Sequence, residues 1–156
     1  MNKKVILSLV FTLLIGCGFT PMLKDFDLSK INVQKIEYSG KNELIYLLKT
    51  YINLEEKESS EGIIAKLNVL ETITKSTKNA SGIAVEENLI LTIKIKILSS
   101  KNRILLDDSL SGTKRISITS NLSVDEETKR NERKNLLQGL SQKIKFKLQL
   151  IGKRQQ

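Results

Sequence analysis

Between residues 85 and 98 apolar and polar side chains alternate. Val85, Leu89, Leu91, Ile93, Ile95 and Ile97 share one parity, while Glu86, Asn88, Thr92, Lys94 and Lys96 share the other. Neighbouring side chains of a strand point to opposite faces, so this run predicts a strand with one buried and one wet face. An antiparallel sheet covered on one side requires that pattern. Residues 63–75 repeat it, with Ile63, Ala65, Leu67, Val69 and Ile73 set against Lys66, Asn68, Thr72 and Thr74. The polar connection at 76–82 (STKNASG) is longer than a tight hairpin needs, and 99–102 (SSKN) reads as the next turn. A last strand region spans 103–119, with Gly112 as the expected position of a bulge that resets the alternation.

The period changes on either side of these strands. Residues 31–38 (INVQKIEY) are short and partly alternating, and suit a first strand broken by Ser39-Gly40. Over 41–54, Leu44, Leu47, Leu48, Tyr51 and Ile52 fall at helical spacing and predict an amphipathic helix, followed by a charged surface loop at 55–62 (EEKESSEG). Ser123-Val124-Asp125-Glu126 has the form of a capping box and announces a final helix. Its apolar stripe is Leu136, Leu137, Leu140, Ile144, Leu148 and Ile151, while Lys129, Arg130, Arg133, Lys143 and Lys145 crowd the other sides. Gly139 inside this helix costs ~1 kcal/mol relative to alanine, which a close approach to the sheet would explain. Residues 152–156 read as a frayed tail. The order β-α-β-β-β-α predicts one α+β domain over 31–151. It is a two-layer sandwich, a four-stranded mostly antiparallel sheet with two helices on one face.

Ahead of this domain stands a different pattern. Lys3 and Lys4 precede an uncharged apolar run, residues 5–15 (VILSLVFTLLI), which ends in Leu14-Ile15-Gly16-Cys17. A basic start, a short apolar stretch and a small residue before the cut make a secretory signal peptide over 1–16. The run is too short to span a bilayer, which takes ~20 residues. The Leu-Ile-Gly-Cys ending resembles the lipobox of bacterial lipoproteins. The resemblance implies diacylglyceryl attachment at the Cys17 sulfur, cleavage between Gly16 and Cys17, and acylation of the new amine. Several acyl chains give lasting attachment where one gives marginal binding. In bacteria that use an aspartate after the cysteine as an inner-membrane retention signal, Gly18 permits transport to the outer membrane. Residues 17–30 then form a tether, with Phe19, Met22 and Phe26 available to pack locally.

Charge and composition narrow the function. Loss of residues 1–16 removes Lys3 and Lys4 and leaves 24 basic against 17 acidic side chains, a balance of +7 with the N-terminus acylated. Export makes nucleic acid an improbable partner for that excess and points to anionic lipid or glycolipid. Cys17 is the only cysteine, so no intramolecular disulfide can form, and there is no histidine. Ser-His-Asp triads and most zinc sites are therefore excluded. A Ser/Lys dyad or a carboxylate pair is possible on paper, but no spacing singles one out. Asp107-Asp108 and Glu86-Glu87 read as solvated strand residues on opposite faces. The expectation is a protein without catalysis, cofactor or metal.

The mature start Cys17-Gly18-Phe19-Thr20-Pro21-Met22-Leu23, the β-α-β-β-β-α order, and the stretch from Ser109-Leu110-Ser111-Gly112 through Ile118-Thr119-Ser120-Asn121 into the last helix together resemble the LptE family. These are the lipopolysaccharide-assembly lipoproteins, here in their alphaproteobacterial form. Met22-Leu23 stands where a Leu-Tyr pair is common, and Arg115-Ile116-Ser117 lacks an aromatic often found there. The resemblance implies a lipid-anchored protein on the periplasmic side of the outer membrane, plugging an LptD-like β-barrel, helping it assemble, and binding lipopolysaccharide. The family's basic loop end of the sheet implies Lys75, Lys78, Lys101, Arg103, Lys114 and Arg115 as candidate contacts to lipopolysaccharide. The other reading is a pilotin or transport auxiliary lipoprotein with the same anchor and sandwich.

Overall fold

The computed structural model describes residues 31–59, 61–119 and 121–154. The signal peptide, Cys17 and the tether at 17–30 lie outside the described residues. Six elements follow: β1 (Val33–Gly40), α1 (Asn42–Ile52), β2 (Ile63–Lys78), β3 (Ala84–Leu98), β4 (Ile104–Ser117) and α2 (Leu122–Arg154). The strands lie in the order β1-β2-β3-β4. β1 runs parallel to β2 because α1 carries the chain back between them, and the two later pairs are antiparallel hairpins. Both helices pack on one face, α1 towards β1 and α2 over β3 and β4, and against each other. The architecture is the α+β sandwich that the alternation predicts.

The core is the sum of the stripes. Leu44, Leu48 and Ile52 of α1 and Leu137, Leu140, Ile144, Leu148 and Ile151 of α2 close over Leu67, Val69, Leu91, Ile93, Ile95 and Ile97. The best-alternating strand, β3, is central, and Leu89, Leu91, Ile93 and Ile97 are fully buried. Burying one such side chain stabilises by roughly 1.5–3 kcal/mol, so the second layer is what makes the sheet stable.

Several local expectations need correction. β1 begins at Val33 and runs to Gly40, because Ser39 and Gly40 pair with Asn68 and Val69 instead of ending the strand. Gly40 has φ +130°, and a Cβ there would lie 2.3 Å from the Val69 carbonyl oxygen, so the crossover needs glycine. The loop after α1 is less free than its charge suggests. The Lys57 N–H donates to the Val33 carbonyl (2.7 Å) and the Ile36 N–H donates to the Glu56 carboxylate (2.7 Å), which covers the outer edge of β1. β4 has no bulge at Gly112: its register with β3 is unbroken from Ser117 to Leu106 and shifts only beside Leu98.

Gly112 is instead the place of close approach that Gly139 was expected to be. A Cβ at Gly112 would meet Leu136 Cδ2 of α2 at 3.0 Å, whereas one at Gly139 would meet nothing within 4 Å. The capping box also shifts. α2 starts at Leu122, so Ser123 lies inside its first turn and the Val124 N–H reaches Asn121 Oδ1 at 3.4 Å. Asp125 reaches backward and accepts the Thr119 N–H (2.9 Å) and hydroxyl (2.7 Å). Gly152 is not part of a frayed tail: it is helical and lies against Ile31.

Candidate functional site

The topology sorts the six candidate basic residues into two places. The end of β2, the start of β3, the end of β4 and the N-terminus of α2 meet at one end of the sandwich. Lys75, Lys78, Lys114 and Arg115 all belong to this end. Lys101 and Arg103 lie in and beside the β3–β4 turn, at the opposite end, where Ile31 and Gly152 also meet. At 3.3–3.4 Å per residue the 15 residues of β3 separate the two ends by roughly 45 Å. One anionic headgroup cannot touch both sets.

At the first end the charges are only partly neutralised. Lys114 pairs with Glu132 of α2 (3.6 Å), and Arg115 pairs loosely with Glu86 (3.9 Å), which also accepts the Thr77 hydroxyl (2.6 Å). Lys129, unremarked in the sequence as a site residue, bridges Glu87 (3.0 Å) and Glu126 (3.2 Å). Burial works against its charge, and the two carboxylates outweigh that and raise its pKa. Lys75 and Lys78 form no ion pair among the described residues, and both are exposed. They add unpaired positive charge to this end. Ile83 and Leu122, both well exposed, belong to the same end, so basic and apolar surface occur together there.

The uncovered face of the sheet carries a second pattern. Glu37, Lys66, Lys96 and Asp107 are register partners and form a row across all four strands. Lys66 pairs with Glu37 at 2.8 Å, Lys35 joins it at 2.9 Å, and Lys96 lies 3.8 Å from Asp107. Hydrogen bonds from Lys66 and Lys35 hold the Glu37 carboxyl down at about 2. The next rows are Ser39, Asn68, Lys94 and Ser109, then Leu70, Thr92 and Ser111. A shallow groove of about 420 Å³ runs among the first two rows. Exposed pairs of this kind contribute ~0–1 kcal/mol each, so the row shapes a polar face more than it stabilises the fold.

Beneath the helices a carboxylate is held out of water. Glu71 of β2 is 3% exposed and accepts hydrogen bonds from Arg133 of α2 and from Lys41 at the start of α1 (2.7 Å). Burial opposes its ionisation, but these two donors outweigh it and hold the carboxyl below its ordinary range. Along the same helix Lys147 pairs with Asp108 (2.6 Å). That bond, then the Ser109 N–H, lowers the Asp108 pKa, so Asp108 is a bridge and not the solvated residue its neighbour Asp107 is. No local pattern marks these clamps, because residues 62 positions apart have no spacing to read.

No protein-family model matches the sequence, and no curated protein matches it. The solved structures are informative. A crystal structure of rare lipoprotein B from Shewanella oneidensis superposes with a TM-score of 0.58 at 10% identity, over 78% of this chain and 96% of that one. A minor lipoprotein from Acinetobacter baumannii gives 0.56 at 12%, over 78% and 94%. A lipoprotein B from Nitrosomonas europaea gives 0.55 at 13%, over 74% and 81%. The chain therefore has the fold of these bacterial lipoproteins over nearly their whole length. Among the described residues no helix is long and apolar enough to cross a membrane.

Proposed function

We propose that this chain is a lipoprotein anchored through Cys17 on the periplasmic side of the outer membrane, and that it acts there as plug and assembly partner of an LptD-like β-barrel in lipopolysaccharide transport. The observation that carries this reading is the fold match to rare lipoprotein B, joined to a Leu-Ile-Gly-Cys start and to the resemblance to the LptE family. The surface supports it. A barrel lumen is polar, and the uncovered face offers rows of paired charges, hydroxyls and amides, interspersed with Leu70 and Ile90. The end holding Lys75, Lys78, Lys114 and Arg115 would meet lipopolysaccharide, its lysines and guanidinium facing phosphates while Ile83 and Leu122 face acyl chains. Lys101 and Arg103, at the other end, would not share that headgroup. The protein binds and scaffolds; it does not catalyse.

A photo-crosslinking residue at Asn68 or Thr92, on the uncovered face, tests the reading in intact cells. The expected product is an adduct with an outer-membrane barrel. Adducts only with soluble periplasmic proteins would overturn it.

A further inference from the structure

β4 is an edge strand, and among the described residues no strand or loop pairs with its outer side. The other edge differs, since Glu56 and Lys57 close the outer side of β1. The Ile118 N–H donates to the Val85 carbonyl (2.8 Å), and the unbroken register from Ser117 to Leu106 continues from that pair. Hydrogen-bonded and non-bonded pairs alternate in an antiparallel ladder, so the even-numbered residues of 106–116 turn their backbone groups to β3. Asp107, Ser109, Ser111, Thr113 and Arg115 turn theirs outward, and all five are exposed. The Ser109 N–H shows the consequence: it closes on the carboxylate of its own neighbour Asp108 (2.7 Å). A long edge without proline, and without a bulge over this span, is a template for another strand.

The charges along β4 point to what that strand is. A second β4, antiparallel about Ser111, sets Ser109 opposite Thr113 and Asp107 opposite Arg115, each pair occurring twice. These are the outward-turned residues, so their backbone groups meet and form roughly ten hydrogen bonds across the join. Asp107 and Arg115 are 63% and 68% exposed, and each has only a long contact within its own chain, 3.8 Å to Lys96 and 3.9 Å to Glu86. Opposite charges directly across a strand pair stabilise it, and like charges do the reverse. On the helix side the same register places Leu110 opposite Gly112. Gly139 of α2 lines a groove beside Leu110, and no described residue lies within 4 Å of its missing Cβ, which leaves room for the second copy's helix. We infer that two copies of this chain join along β4 into one continuous sheet with two-fold symmetry. Each copy closes the other's open edge, and the two basic ends point in opposite directions. The inference does not rest on the barrel reading, which concerns a single copy.

The mature chain with Cys17→Ser has no thiol, so one introduced cysteine reports alone. In the pair the two Ser111 residues face each other with Cα atoms about 5.5 Å apart, within disulfide range. Ser111→Cys should therefore oxidise to a covalent dimer about tenfold faster than Asn68→Cys on the uncovered face. Sedimentation should show a dimer whose dissociation constant rises about tenfold in Asp107→Arg and in Arg115→Asp, with the fold retained by circular dichroism. Asp107→Arg combined with Arg115→Asp should restore the natural value. A chain that sediments as a monomer at every concentration, or a double variant no tighter than either single one, would overturn the inference. Oxidation at Asn68 as fast as at Ser111 would also overturn it, by bringing two uncovered faces together instead.

Discussion

Replacing Glu71 with alanine would leave the Arg133 guanidinium, 14% exposed, without its carboxylate, and would free Lys41 from the sheet. Breaking a buried pair is costlier than the pair is worth, so Glu71→Ala should destabilise by about 2–4 kcal/mol in urea titration. The same group makes stability depend on acid. The carboxyls of Glu37, Glu71 and Asp108 all titrate lower in the folded chain than carboxylates ordinarily do. An unfolded chain therefore takes up protons first as pH falls. The stability these groups contribute is whole above about pH 5 and is lost as pH drops through their folded values. Denaturation midpoints at pH 6, 4 and 3 should fall steadily in the natural chain, and less steeply in Glu71→Gln. Gly40→Ala is the sharpest test of backbone geometry. Its Cβ would collide with the Val69 carbonyl at a positive φ, and a loss of about 2 kcal/mol or more is expected.

At the scale of elements, the alternation within 63–75 and 85–98, the short runs 31–38 and 103–119 and the stripes of both helices were enough to place each strand and helix, though not all of their ends. Burial acts through side-chain period, and that is local. What the period could not show were contacts made across the chain. Ser123 and Glu126 have the right spacing for a capping box, yet Asn121 caps α2 and Asp125 ties its first turn to Thr119, because the helix begins two residues earlier. Asn121→Ala should therefore cost about 1 kcal/mol and Ser123→Ala close to nothing. Gly112 and Gly139 invite the same misreading: one glycine admits Leu136 and the other lines a groove, and only the packed helix tells them apart. The strap over β1 is likewise invisible in EEKESSEG. Glu56→Ala should speed hydrogen exchange at the Ile36 amide while costing no more than about 1 kcal/mol overall.

For the whole molecule, the separation of the two ends decides how its positive charge can act. The sequence offered six basic candidates as one set. Long antiparallel strands put four of them at one end and two at the other, a division that depends on pairing register and not on local pattern. Reversing Lys75 and Lys78 to glutamate should weaken binding of purified lipopolysaccharide by about tenfold and flatten its salt dependence, since both are exposed there and engaged by no carboxylate. Reversing Lys101 and Arg103 should change it by less than about twofold.

A body with the rare lipoprotein B fold that plugs an outer-membrane barrel, as proposed, should be recovered with that barrel. Affinity isolation of the Cys17-lipidated protein from gently solubilised membranes, with partners identified by mass spectrometry, tests that most directly. The expected partner is one LptD-like β-barrel protein at about one copy per chain, resistant to moderate salt. Recovery of the chain alone, or with a different envelope complex and no barrel, would contradict it.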